Sequence, residues 1–176
     1  MRSLCLVAWL GSGLLSACGM MGMQHGGPMA RATMEPTRGS TSAGVVMFHQ
    51  MGDRVMVHAK LSGLKPGQEH GFHVHEKGDC SSGDGVSAGG HFNPTGKPHG
   101  APDSAERHAG DLPALKADAE GKVDLHFRVS GITVASGATD VVGKGLIVHA
   151  MPDDYKTQPT GNAGARIACG VIALRP

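Results

Sequence analysis

The tripeptide His73-Val74-His75, inside GFHVHEKGDC, places the tightest condition on what this chain can fold into. The run around it is short, apolar and β-prone, and in a strand residues i and i+2 point to the same face. Two imidazoles therefore stand side by side where a strand would otherwise present valine or leucine. A lone strand histidine is most simply a hydrogen-bonded core residue. A same-face pair is a natural two-nitrogen grip on a metal ion. The fold must turn that face toward further ligands.

The rest of the sequence supplies a β framework. Ala43–Met51 and Arg54–Leu61 are β-prone runs separated by Gly52-Asp53, a hairpin signal. His70–His75 is a third run. GKVDLHFRV, residues 121–129, alternates with Val123, Leu125, Phe127 and Val129 on one face, and Gly145–His149 and Arg166–Leu174 are two more apolar runs. Helix-period patterning is weak throughout, and 28 glycines with only 3% aromatics suit loops on strands. The expected class is all-β, a sandwich or barrel. Two stretches lack strand pattern, Glu76–Leu115 and Met151–Ala165, and long irregular loops in a compact domain are usually functional. A formal net charge of +1 without a clustered basic face excludes a nucleic-acid partner.

The N-terminus reads as a targeting segment. Residues 1–18, MRSLCLVAWLGSGLLSAC, have one positive charge, an apolar stretch and a small-residue end, the pattern of a secretory signal. Leu15-Ser16-Ala17-Cys18 resembles the bacterial lipobox, in which the cysteine is lipidated and anchors the protein to a membrane surface. The expected location is the periplasm or cell envelope. Residues 19–40 read as a flexible tether, and 41–176 as the folded domain. Met20, Met21, Met23, His25 and Met29 form a soft-ligand group that could catch copper, or a linker with chance methionines. With Cys5 removed and Cys18 lipidated, Cys80 and Cys169 remain to pair in an oxidising compartment.

Further ligand candidates lie in and after the first long loop. GGHFNPTGKPHG supplies His91 and His99, SAERHAGDLPAL supplies His108 and Asp111, and GLIVHA supplies His149. Three imidazoles and one carboxylate make a plausible tetrahedral zinc set. Six histidines and an aspartate exceed what one ion needs, so two adjacent sites are expected.

GFHVHEKGDC, AGGHFNP, KPHG, ERHAGDLPAL and TGNAGARIACGVI together resemble the copper/zinc superoxide dismutases, over roughly residues 42–174. The resemblance implies an eight-stranded Greek-key flattened β-barrel, also described as an immunoglobulin-like sandwich, with two long functional loops. It implies copper on His73, His75, His91 and His149, and zinc on His91, His99, His108 and Asp111, with His91 bridging. It further implies a Cys80–Cys169 disulfide, Arg166 facing the copper, Asp153 joining a copper-side to a zinc-side histidine, and His70 in a structural role. Superoxide would become oxygen and hydrogen peroxide, with Arg166 attracting the anion and His91 carrying a proton. Bacterial relatives are monomers or dimerise in differing ways, so a homodimer stays open. The loop after His149 departs from the eukaryotic form, with Ala150-Met151-Pro152 where charges often sit. Any steering charge from Lys144 or Lys156 has no assigned place. The alternative reading is a copper-buffering envelope lipoprotein without turnover, against which Arg166, Asp153 and the separate zinc set argue. Outside the ligand set, His49, His58 and His126 are expected as surface or satisfied positions, and Met47, Met51 and Met56 as fillers of core gaps or residues of the barrel wall.

Overall fold

A computed structural model describes residues 26–175. The segments expected as signal and lipobox, residues 1–18, lie outside the described residues, as do Met20, Met21, Met23 and His25. Among the described residues nine strands run β1 (Met29–Pro36), β2 (Ala43–Met51), β3 (Arg54–Ser62), β4 (Glu69–His70), β5 (Phe72–His75), β6 (Leu115–Lys116), β7 (Val123–Val129), β8 (Gly145–His149) and β9 (Arg166–Leu174). Seven form one sheet in the order β5-β8-β9-β1-β2-β3-β7, and β4 pairs with β6. All of these ladders are antiparallel. Only Gly71 separates β4 from β5. Counted as one strand, the pair brings the total to eight and joins the two sheets, and β6 returns beside β7 to close the barrel. Gly71 sits at that joint because a side chain would strike Ala163, whose Cβ lies 2.8 Å from where its own would be. β3 and β5 are nearly consecutive in sequence, yet β5 is one end of the sheet order and β3 is next to the other, the crossover of a Greek key.

The tether expected over residues 19–40 is corrected by β1. Ala30, Ala32 and Met34 are buried at its inward positions, and the strand pairs with both β2 and β9. Met29, expected in the soft-ligand tether, is the first residue of that strand. The alternation of small apolar with polar residues is a strand pattern, but alanine and methionine carry little β-propensity.

The core lies inside the barrel, where Phe48, Val57, Phe72, Val74, Leu146, Val148 and Ile172 are fully buried. β5 and β8 are buried on both faces. Phe72 and Val74 of β5 face the core, so His73 and His75 face outward, under the two long loops. A second cluster of Ala88, Ile147 and Cys169, with Cys80, pins the first loop to β8 and β9. Cys80 and Cys169 form the disulfide, closing 89 residues of chain. Among the described residues no helix is long and apolar enough to cross a membrane.

Candidate metal centre

His73 and His75 project from the outer face of β5, and the first loop lies along the free edge of that strand. Val74 N–H donates to Gly110 O at 2.9 Å and Phe92 N–H to Val74 O at 2.8 Å. Those bonds bring His91 beside His75 and Asp111 beside His73 as isolated bridges. From β8, Val148 enters the core and His149 turns outward at a register irregularity, directly opposite Arg166 of β9. The Met151–Ala165 loop then covers the group. His73, His75, His91, His99, His108, Asp111, His149 and Asp153 are all buried.

All of these except Asp153 fall into two groups with ligand atoms within 4.8 Å of one another: His73, His75, His91 and His149, and His91, His99, His108 and Asp111. The first is sorted by its hydrogen bonds. His73 Nε2 bonds to Asp153 Oδ2 at 2.7 Å, His75 Nδ1 donates to Gly89 O at 2.9 Å and His149 Nδ1 donates to Gly164 O at 3.1 Å. Their other nitrogens, His73 Nδ1, His75 Nε2 and His149 Nε2, together with His91 Nε2, are buried without a partner. Buried polar atoms are almost always satisfied. Four unpaired nitrogens gathered together fit a cation.

In the second group one carboxylate oxygen is the hub. Asp111 Oδ1 lies 2.9 Å from His91 Nδ1, 3.0 Å from His99 Nδ1 and 3.4 Å from His108 Nδ1. Bonds of about 2.0–2.1 Å in a tetrahedron put ligand atoms about 3.3 Å apart, so this spacing fits zinc. Asp111 Oδ2 accepts from the backbone N–H of Gly100 and His108, which fixes the carboxylate. Asp153 ties the groups together, its Oδ1 lying 2.9 Å from His99 Nε2 while Oδ2 takes His73.

Protonation follows burial. Burial, aided by neighbouring imidazoles, lowers His75 well below its ordinary value. Burial likewise takes His149 to about 3 and His91 to about 4, the latter against the pull of Asp111. These rings are neutral near pH 7 and keep their lone pairs. Burial alone would lower His99 too, but bonds to Asp111 and Asp153 outweigh it and raise it to about 9. Both carboxylates resist burial through their histidine partners and are held below the usual range.

Arg166 is set by the disulfide-pinned loop. Its Nη1 donates to Gly85 O at 2.5 Å and its Nη2 to Gly89 O at 2.6 Å. Gly89 O therefore receives both Arg166 and His75. His70 donates from Nδ1 to His149 O at 2.8 Å, which steadies the end of β8. Lys144 Nζ bonds to Glu76 O at 3.2 Å and lies 5.0 Å from the Phe92 ring centroid, whereas Lys156 is exposed.

Several supports carried no sequence signal. The Gln158 side chain accepts from His99 N–H at 2.8 Å and donates to His99 O at 2.9 Å. Buried Arg107 donates to His108 O at 2.8 Å and Ser130 O at 2.6 Å, holding the loop of the second group to the barrel. Gly161 closes over Asp153 so tightly that a Cβ there would lie 1.8 Å from Asp153 Oδ1. Only the adjacency of Arg107 to His108 could have drawn notice.

An all-β barrel with two histidine metal groups sharing one ring defines a binuclear metalloprotein. Residues 42–172 match the family model described as copper/zinc superoxide dismutase. The extracellular copper/zinc superoxide dismutase of Drosophila melanogaster is 44% identical over 140 residues, 75% of this chain and 76% of that protein. The crystal structure of the clock protein EA4 superposes with a TM-score of 0.77 at 39% identity, over 84% of this chain and 94% of that one. The chain belongs to the copper/zinc superoxide dismutase family. Its metals are copper and zinc, and its reaction is the dismutation of superoxide to oxygen and hydrogen peroxide.

Proposed function

We propose that copper is held by His73 Nδ1, His75 Nε2, His91 Nε2 and His149 Nε2, and zinc by His91 Nδ1, His99 Nδ1, His108 Nδ1 and Asp111 Oδ1. The sorting of the buried nitrogens carries this reading: each copper-side ring outside the bridge has one nitrogen occupied by a protein acceptor and the other unpartnered. Imidazole suits copper, while three histidines and a carboxylate close a tetrahedral zinc site. Bound copper supplies a one-electron couple, and bound zinc supplies a fixed positive charge without redox chemistry.

The chain's own residues do the rest. His91 belongs to both groups, and its Nε2 has no protein acceptor, so that atom, whenever it is free of copper, would take a proton from solvent and supply one of the two that hydrogen peroxide needs, the other coming from water. Arg166, opposite His149, attracts the superoxide anion, and the two glycine carbonyls hold its guanidinium in place before the substrate arrives. Asp153 sets the ring orientation of His73 and His99 together. His149→Ala tests the assignment: copper and dismutation should be lost while one zinc per chain is retained. Full activity in that variant overturns it.

Export belongs to the same proposal. A signal over residues 1–18 and a lipidated Cys18 place the domain in the periplasm or cell envelope on a membrane surface, where it removes superoxide. The lipobox-like Leu15-Ser16-Ala17-Cys18 supports the anchor, and the extracellular name of the fruit-fly relative supports export alone. Cys18→Ser should release the protein from membranes, and continued membrane partitioning overturns the anchor.

A further inference from the structure

The outward face of the β1–β2–β3–β7 wall carries an unusual set of side chains. Inward positions hold Ala30, Ala32, Val46, Phe48, Val55, Val57 and Ala59, so the alternate residues face solvent. Register aligns them in rows across the strands. Met29 is opposite His49, which is opposite Met56, and Met47 is opposite His58, which is opposite His126. Thioether and imidazole side chains thus collect on one exterior surface. β3 and β7 lie at the other end of the seven-stranded sheet from β5, so this surface is separate from the centre described above.

Within it, His58, Asp124 and His126 converge. The two imidazoles are a directly opposed cross-strand pair and stack with ring centroids 3.6 Å apart at 18°. The Nε2 atoms of both turn toward the same Asp124 Oδ1, at 2.7 Å from His58 and 3.9 Å from His126. One ligand atom from each of the three lies within 4.8 Å of the others. A strand pair holding two nitrogens and a carboxylate oxygen, open to water on its remaining side, is a three-ligand site with free coordination positions.

We propose that His58, Asp124 and His126 form a third, solvent-open metal site that takes an exchangeable divalent transition ion, copper(II) more tightly than zinc(II). The order follows from ligand type, since nitrogen and oxygen sites favour copper(II) over zinc(II). Binding needs only small changes. The proton on His58 Nε2 moves to Nδ1, which frees the lone pair, and the exposed rings rotate to close the ligand spacing. Lys60, whose Nζ lies 3.8 Å from Asp124 Oδ2, is the competing cation, and its long exposed side chain can swing into solvent. Met47 lies beside His58 as a neighbouring thioether, suited to copper if the ion is reduced.

The test uses the full-length mature protein with its copper and zinc already loaded, titrated with copper(II) in the presence of glycine as a weak competitor. Bound copper is counted by equilibrium dialysis and its nitrogen ligands by electron paramagnetic resonance. The expected result is one further copper(II) per chain, with a nitrogen-coordinated signal distinct from the buried copper. In the His58→Gln/His126→Gln double variant its affinity should fall at least tenfold, with dismutase activity unchanged because neither residue belongs to the catalytic centre. The proposal is overturned if the loaded protein takes up no further ion, which leaves a surface ion pair only. It is equally overturned if the double variant binds the extra copper with the same affinity and spectrum, which places the ion elsewhere, as on the Met/His segment before β1.

Discussion

Replacing Gly161 by alanine isolates the part Asp153 plays in holding the two metal groups together. Gly161 has φ +67°, and an added Cβ would lie 1.8 Å from Asp153 Oδ1, 2.6 Å from its Cγ and 2.6 Å from His99 Nε2. No rotation of a methyl group relieves such overlap. Asp153 has to withdraw, and its Oδ1 then loses His99 Nε2, at 2.9 Å, and the Tyr155 N–H, at 2.7 Å. The left-handed backbone alone costs a non-glycine residue about 1–2 kcal/mol. Two bonds to a carboxylate, at roughly 1.5–3 kcal/mol each, add about 3–6 kcal/mol. Gly137→Ala provides the control: its φ is +77° and nothing lies within 4 Å of the added Cβ, so only the strain applies. Urea unfolding of the metal-free, disulfide-intact proteins should place Gly161→Ala well below Gly137→Ala, and chelator competition should show weakened metal retention in Gly161→Ala alone, on the order of 10–100-fold. Equal stability and equal metal retention in the two variants would refute the reasoning, because Asp153 would then be a passive neighbour.

Other perturbations have equally direct readouts. Cys80→Ser/Cys169→Ser opens a closure of 89 residues and should cost about 4–5 kcal/mol in the chain-entropy model, read by denaturant midpoint under oxidising conditions. A loss below 1 kcal/mol would show that the loop is held by other contacts. Arg166→Gln should lower kcat/KM for superoxide about tenfold or more and flatten its dependence on ionic strength, measured by pulse radiolysis. An unchanged salt profile would remove Arg166 from substrate capture. The metal-free protein should be most stable at about pH 7. His91 and His149 have folded values of about 4 and 3, below the unfolded 6.5, so the unfolded chain binds more protons in acid and each costs about 2 kcal/mol at pH 5. His99, raised to about 9, contributes stability that is complete below pH 6.5 and lost as pH rises through 9. Thermal unfolding across pH 4–10 checks both limbs, and a flat profile would contradict the burial of these rings.

Much of this molecule is visible in its sequence because its chemistry rides on side chains. His73-Val74-His75 announces a strand with two imidazoles on one face, and the two irregular stretches mark the covering loops. β1 escaped because Ala30, Ala32 and Met34 alternate correctly but are small or unbranched, a pattern that competes poorly with a Gly- and Met-rich tether. The acceptors that orient the ligands escaped for a different reason. Gly89 O and Gly164 O are backbone atoms, and a carbonyl has no residue identity to read. Gln158 reaches His99 across 59 residues, and nothing in its sequence neighbours points there, while Arg107 stands next to His108 but meets backbone carbonyls, including that of Ser130. Gly161 is one of 28 glycines, and only the packing of its loop distinguishes it.

The two-sided burial of β5 makes the centre a check on strand alignment. Side chains alternate, so a slip of one residue against β8 would turn Phe72 and Val74 out under the loops and drive His73 and His75 into the barrel. An ordinary half-buried strand that slips loses core packing alone. Here the same slip would also dismantle both metal groups, since the backbone bonds of Val74 carry His91 and Asp111 into place. With the ligands proposed above, a misaligned chain would lose its ions, and metal supplied during refolding would select the correct register as well as complete the enzyme.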